Sequence, residues 1–387
     1  MKLGFASRWD PLDKRSWSGT AYYTYREIKK YYQTEAFFFS WNWGLREWLT
    51  LQKSMNRRLF GKNTSVEFLK AYSRFFCRQL EKELQHRPVD LLFVIASSQL
   101  LAYLKTDIPI IYTTDATFQQ LQGYYPSFRN LAGYNRKQGI ALDQKAFQNM
   151  SHALVASEWC KQSVISDYSI DPRKITVAPF GANMDAIPLP GSFKLENQTG
   201  LNLLFLGVEW ERKGGDLVLE TFRLLRNRNI PVQLHIIGCI PPPDVSNEKH
   251  ITVIPFIDKN DRREAEQLDR IFRETDLLFL PTRAECAGVV FSESSAWSIP
   301  SITTDTGGVS TYVKNGINGF TLPLSAGAAD YADKISQLFA DKQSLKELKK
   351  TSRDYYENHL SWELWGLKFR QIAETLLARL SFSEDLV

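Results

Sequence analysis

Short apolar runs alternate with longer amphipathic stretches along most of the chain. Lys2–Ala6, Ala36–Ser40, Leu91–Ala96, Pro109–Thr113, Ala153–Ala156 and Ile175–Pro179 read as strands. Between them, Tyr22–Tyr31, Val66–Glu83, Arg136–Met150 and Trp159–Tyr168 carry helical spacing. Apolar runs buried on both sides and separated by helices predict a parallel sheet with helices on both faces. The pattern stops at residues 186–200, AIPLPGSFKLENQTG, where two prolines and two glycines without periodicity mark a linker. It then restarts. Leu201–Leu206, Val232–Ile237, Ile251–Pro255, Leu277–Leu280, Ser301–Thr304 and Phe320–Leu322 read as strands, with helices at Asp216–Asn227, Arg262–Glu274 and Val289–Trp297. From about Ala329 the tail reads as helical to its end. The expectation is an α/β protein of two open domains, residues 1–185 and 201–360, with a final helical segment at 361–387. Ligands bind such sheets at the carboxyl ends of their strands.

Bulk properties narrow the field. A chain of 387 residues exceeds one ordinary domain. No apolar run approaches the length that spans a bilayer, and the N-terminus MKLGFASRWD lacks the apolar core of a signal peptide. Cys77, Cys160, Cys239 and Cys286 are scattered, with neither disulfide nor zinc spacing. A cytoplasmic protein is expected. The net charge of +5 suits an anionic substrate or membrane face and is too small to indicate nucleic acid.

Four stretches carry candidate chemistry. In AECAGVVFSES, residues 284–294, Glu285 and Glu293 flank Gly288 at the opening of a helix. The N–H groups near Gly288, Val289 and Val290 are suited to a diphosphate, and the carboxylates to sugar hydroxyls. Acidic residues are also common in first helical turns for dipole reasons alone. In LLFLGVEWERKGGD, residues 203–216, Arg212 and Lys213 follow a strand and a glycine turn. They suit a leaving diphosphate, or equally an ordinary solvated turn. SITTDTGGVSTYVKNGINGF (301–320) and ITVAPFGANMD (175–185) each place a glycine turn after a strand.

In this order and spacing the stretches resemble the large retaining glycosyltransferase family usually numbered four, of GT-B fold. The resemblance extends from HALVASEWCKQSVISDYSIDPRKITVAPFGANMD through FLGVEWERKGG and AECAGVVFSES to PSITTDTGGVSTYVKNGINGF. LSWELWGLKF resembles the segment where the last helix crosses back onto the N-terminal domain. The resemblance implies two Rossmann-like domains across a cleft, the first for the acceptor and the second for a nucleotide-sugar. It implies that Glu285 meets donor-sugar hydroxyls, Glu293 the ribose, and the backbone at Gly288, Val289 and Val290 the sugar and diphosphate. Lys213 stands where the family binds phosphate. Gly19, in KRSWSGTAYY, would approach the phosphates from the first domain, and the backbone near Phe256 and Ile257 would face the base. Three departures stand out: Val208 replaces an arginine after Gly207, with Arg212 a candidate substitute; Gly19 stands alone where many members have two glycines; and IYTTDATF carries Asp115 where many members have a histidine. Asp115 orients sugar or acceptor, or caps the following helix; its place at a strand's carboxyl end favours a site role.

The reaction so implied moves a hexose-type unit from a UDP- or GDP-sugar to a glycan or lipid-linked acceptor, with retention and with neither metal nor cofactor. Residues 37–62 combine Trp41, Trp43 and Trp48 with Arg46, Lys53, Arg57, Arg58 and Lys62 against one acid, Glu47. Such a segment suits an anionic membrane surface, or tryptophans packed beneath a loop, and the packed reading is favoured. Other readings are a catalytically silent nucleotide-sugar-binding partner subunit and a GT-B epimerase or hydrolase. The latter needs a protein acid/base near the sugar, which the sequence does not offer.

Overall fold

The computed structural model describes residues 1–39, 43–189, 200–245 and 248–384. Ser40, Trp41 and the greater part of the expected linker lie outside the described residues. Two compact units result, Met1–Ala178 with Trp365–Val387, and Pro179–Leu364. The division falls earlier than the linker, because Phe180–Met184 packs with the second unit. There the Phe180 N–H donates to the Tyr312 hydroxyl at 2.9 Å, and Ser292 Oγ donates to the Phe180 carbonyl at 2.8 Å. Trp297 Nε1 meets Met184 Sδ at 3.2 Å.

The first unit holds a six-stranded sheet of β1 (Lys2–Ser7), β2 (Gln33–Phe38), β3 (Leu91–Ile95), β4 (Ile110–Thr114), β5 (His152–Val155) and β6 (Ile175–Val177), in the order β2-β1-β3-β4-β5-β6. The second holds β7 (Leu201–Leu206), β8 (Val232–Ile237), β9 (Ile251–Ile254), β10 (Leu277–Leu280), β11 (Ser301–Thr304) and β12 (Gly319–Leu322), in the order β12-β11-β10-β7-β8-β9. Every pairing in both sheets is parallel. β3, β4 and β10 are buried along their whole length, as strands covered on both faces must be. All twelve expected strands are present. The second sheet has the doubly wound order of a dinucleotide-binding fold, and its direction of winding reverses between β7 and β10.

One helical expectation changes. The Val66–Glu83 stretch is a short 3-10 turn, Val66–Phe68, then a helix, Lys70–His86, because Leu69 between them is extended (φ −91°, ψ 138°). The tail is helical as expected through Glu384 and divides into three helices, Ala328–Ala340, Lys342–His359 and Trp362–Glu384. Asp341 leaves helical geometry at ψ 82° and its side chain caps the next helix by accepting from the Ser344 N–H. The last helix packs on the first sheet: Trp365 stacks on Phe369 at 5.5 Å and meets Phe93 edge-on at 5.9 Å, while Lys368 Nζ donates to the Val177 carbonyl at 2.9 Å. All four cysteines are buried and none forms a disulfide. Among the described residues no helix is long and apolar enough to cross a membrane.

A buried carboxyl braces the first unit. Asp143, on the Gly133–Asn149 helix, accepts from the Phe118 N–H at 2.5 Å and the Tyr168 hydroxyl at 3.4 Å. Burial pushes its pKa up to about 6, against the hydrogen bonds from Ser98, Phe118 and Tyr168. The unfolded value is about 3.9. A raised folded pKa means the contribution is complete below the unfolded value and is lost as pH rises through about 6. Urea unfolding from pH 4 to 8 is therefore expected to show the wild type losing on the order of 2–3 kcal/mol relative to Asp143→Asn as pH rises. A constant difference between the two would remove Asp143 as the titrating group.

Candidate active site

The reversal between β7 and β10 decides which loops meet, because adjacent parallel strands deliver their carboxyl-end loops side by side. From β7 comes Gly207–Gly214, which folds into a tight turn. The Lys213 N–H donates to the Glu209 carbonyl at 3.0 Å and the Gly215 N–H to the Trp210 carbonyl at 2.9 Å. A Cβ on Gly207 would come within 3.0 Å of Lys213 Cγ, so the bare glycine gives the lysine stem its path across the strand end. From β10 comes Pro281–Gly288. Gly288 (φ 83°, ψ 61°) is left-handed and opens the Val289–Ala296 helix; a Cβ there would strike the Phe291 ring at 2.6 Å. The Gly308 N–H fixes the loop from outside, donating to the Glu285 carbonyl at 3.0 Å.

The loops bring Lys213 and Glu285 into a direct ion pair. Both side chains are nine-tenths buried, so each charge is offset chiefly by the other. Arg212 lies beside them, its Nη1 donating to the Ala284 carbonyl at 2.9 Å and standing 3.8 Å from Glu285, while its Nε pairs with Glu209. Arg212 thus braces the 281–288 loop as well as adding positive charge. Val208, at the position of the absent arginine, is exposed. The N–H groups of the first helical turn, at Val289 and Val290, have no acceptor within an α-helix and lie at its positive end.

One turn along that helix, buried Glu293 pairs with Lys259 at 2.6 Å. Lys259 follows β9 in the turn after Ile257, and its Nζ also donates to the Asn183 carbonyl at 3.2 Å. Phe256 is exposed and Ile257 half-buried. Nothing in the sequence marked Lys259, since one lysine in IDKNDRRE looks like any solvated turn.

Two expected residues belong to the first unit. Gly19 is buried and left-handed (φ 86°), opening the Thr20–Ile28 helix. It follows two left-handed non-glycine residues, Trp17 (φ 49°) and Ser18 (φ 56°), a run of strain of the kind that gathers at functional loops. Asp115 follows β4 and does not cap the next helix. Thr117 does so, accepting from the Gln120 N–H in a capping box. Asp115 instead lies within electrostatic reach of Arg8, which the sequence also left unmarked. The Arg8 guanidinium sits at the carboxyl end of β1, paired with Glu67 and 4.1 Å from the Trp9 ring centre, and burial lowers its pKa. Trp9 in turn stacks on Trp17 at 5.3 Å.

Comparison with known proteins agrees with this layout. Residues 35–186 match the family model described as Glycosyltransferase Family 4, and residues 200–341 the one described as Glycosyl transferases group 1. The D-inositol 3-phosphate glycosyltransferase of Paenarthrobacter aurescens is 23% identical over 211 residues, which cover 52% of this chain and 51% of that protein. The chain thus spans about half the length of the curated relatives it matches. Sucrose-phosphate synthase from Thermosynechococcus elongatus superposes with a TM-score of 0.71 at 14% identity, over 98% of this chain and 100% of that one. Anabaena HepE in complex with UDP and glucose superposes at 0.63, with 14% identity over 97% and 99%. At these identities the likeness shows the fold, which is GT-B.

The buried pair generates a direct test. Lys213→Met takes the nearest cation from the buried Glu285 carboxylate, leaving Arg212 at 3.8 Å, and is expected to lower stability by about 3 kcal/mol. Lys213→Met/Glu285→Gln should cost far less than the sum of the two single changes in urea unfolding. Additive losses would mean that the two side chains do not interact.

Proposed function

Because the chain belongs to the group 1 glycosyltransferases and carries the family 4 domain in its first half, we propose that it moves a hexose-type sugar from a UDP- or GDP-sugar to a glycan or lipid-linked acceptor, with retention and without a metal. The observation that carries this reading is the Lys213–Glu285 pair at the reversal point of the second sheet, beside the helix opened by Gly288. Negative charge growing on the departing diphosphate is met by Lys213, with Arg212 and the first-turn N–H groups of Gly288, Val289 and Val290 adding to it. Glu285 orients the sugar through its hydroxyls, and Glu293 takes the ribose. Gly19 and Asp115, each in a loop that follows a strand of the first unit, are that unit's candidate substrate contacts. Complex formation between HepE and UDP supports UDP as the first nucleotide to try.

In the transfer, the bond from the anomeric carbon to the phosphate oxygen breaks and its electrons stay with the diphosphate. The acceptor oxygen forms the new bond on the same face, and its proton passes to the departing phosphate oxygen. The negative charge growing on the diphosphate is met by donors already in place, and the departing phosphate takes the acceptor's proton, so this reading calls for neither a metal nor a protein base. Ile257 faces the base through its backbone. The acceptor approaches a protein in the cytoplasm or resting on the cytoplasmic membrane face. Peripheral membrane contact through residues 37–62 is supported by the exposed Leu51, Leu59 and Phe60 beside exposed Lys53, Arg57 and Arg58 in the Trp43–Phe60 helix.

The test is release of UDP or GDP from a panel of nucleotide-sugars supplied with a membrane-extract acceptor pool. One donor should give release, reduced about 100-fold or more by Glu285→Ala. Tight nucleotide binding with no release from any donor would contradict the transfer reading and indicate a silent binding subunit.

A further inference from the structure

Glu293 presents two unlike oxygens. Oε1 accepts from Lys259 Nζ at 2.6 Å, and among the described residues no protein donor reaches Oε2. Glu293 is 4% exposed, and so deeply buried a carboxylate calls for a cation beside it. Lys259 supplies that cation from a turn that is itself rigidly built. The Asp258 N–H donates to Glu264 at 2.6 Å, the Asn260 N–H to the Asp258 carboxylate at 2.8 Å, and Asp261 caps the Arg262–Glu274 helix by accepting from Arg263 and Glu264 N–H groups. The second hydrogen bond of Lys259, to the Asn183 carbonyl at 3.2 Å, fixes the ammonium from the other side. Asp269, on the Arg262–Glu274 helix, is acidic and lies within electrostatic reach of Lys259.

We propose that Lys259 is a positioning residue for recognition of the nucleotide's ribose: it pins Oε1 of Glu293 and leaves Oε2 to accept from the ribose hydroxyls. This rests on the nucleotide-sugar reading of the site and adds to it the residue on which ribose selectivity depends. A carboxylate held by one oxygen has a single orientation to offer, and a cis-diol reads orientation as well as charge. Lys259 does not touch the reacting atoms, so its loss is expected to raise KM for the donor with little change in kcat.

The experiment is calorimetric titration with UDP and 2′-deoxy-UDP, and with GDP and 2′-deoxy-GDP, for the wild type, Lys259→Met, Lys259→Gln, Lys259→Arg and Glu293→Gln. The wild type should bind the ribo form of its nucleotide about tenfold or more tightly than the deoxy form, as expected for hydroxyls donating to a charged group. Lys259→Met and Lys259→Gln should bring that preference to within about twofold, as Glu293→Gln does, while affinity for the deoxy form stays nearly unchanged. Lys259→Arg should restore most of it. A Lys259→Met or Lys259→Gln protein that keeps the full preference, or that loses both forms equally, overturns the inference. A wild type that binds a nucleotide without preferring ribose removes this inference and leaves the donor site standing, whereas a wild type that binds neither UDP nor GDP removes the donor site itself.

Discussion

A buried charge can be held only where another charge meets it, and the second unit is organised around that constraint. Lys213 and Glu285 are 72 positions apart in the chain and both are nine-tenths buried. They meet because β7 and β10 are hydrogen-bonded neighbours, with Leu203 opposite Leu277, so that both loops leave the sheet at one edge. The desolvation cost of each ion is large, and removing one partner strands the other. Such a pair adds little net stability compared with two apolar residues. Its presence fits a site that must present a cation and a carboxylate together, in a place where water screens neither.

A second lysine–carboxylate pair repeats the arrangement one helical turn away. Glu285 precedes the Val289–Ala296 helix and Glu293 lies within it, and each is met by a lysine from a different strand's exit loop. The left-handed Gly288 turns the chain between the two carboxylates and starts the helix there. Both carboxylates and the positive end of the helix therefore lie along one short stretch of chain. That grouping is what a ligand with a sugar at one end, a diphosphate in the middle and a ribose beyond would require.

Much of this was legible in the sequence. The inner strands are buried on both faces, so their apolar runs stand out, and all twelve expected strands appear with ends displaced by only a few residues. Glu285, Glu293 and Lys213 were legible because glycines and charges at strand exits are a local pattern. Helix boundaries were less so. The break at Asp341 depends on a side chain capping the next helix, and extended Leu69 separates two helical pieces that share one periodicity. Capping by Thr117 rather than Asp115 needed the capping-box geometry with Gln120. Lys259 and Arg8 were illegible for a different reason: their partners, Glu293 and Glu67, are remote in the chain, and only the tertiary fold makes those lysine and arginine side chains more than surface charges.

The central claim is that a nucleotide diphosphate is held by the turn ending at Lys213 and by the helix opened at Gly288. Hydrogen–deuterium exchange with and without saturating UDP or GDP tests it most directly. Amides of residues 288–291 and 213–215 should be the most strongly protected in the second unit. Binding of the nucleotide that leaves those amides unprotected would contradict the account.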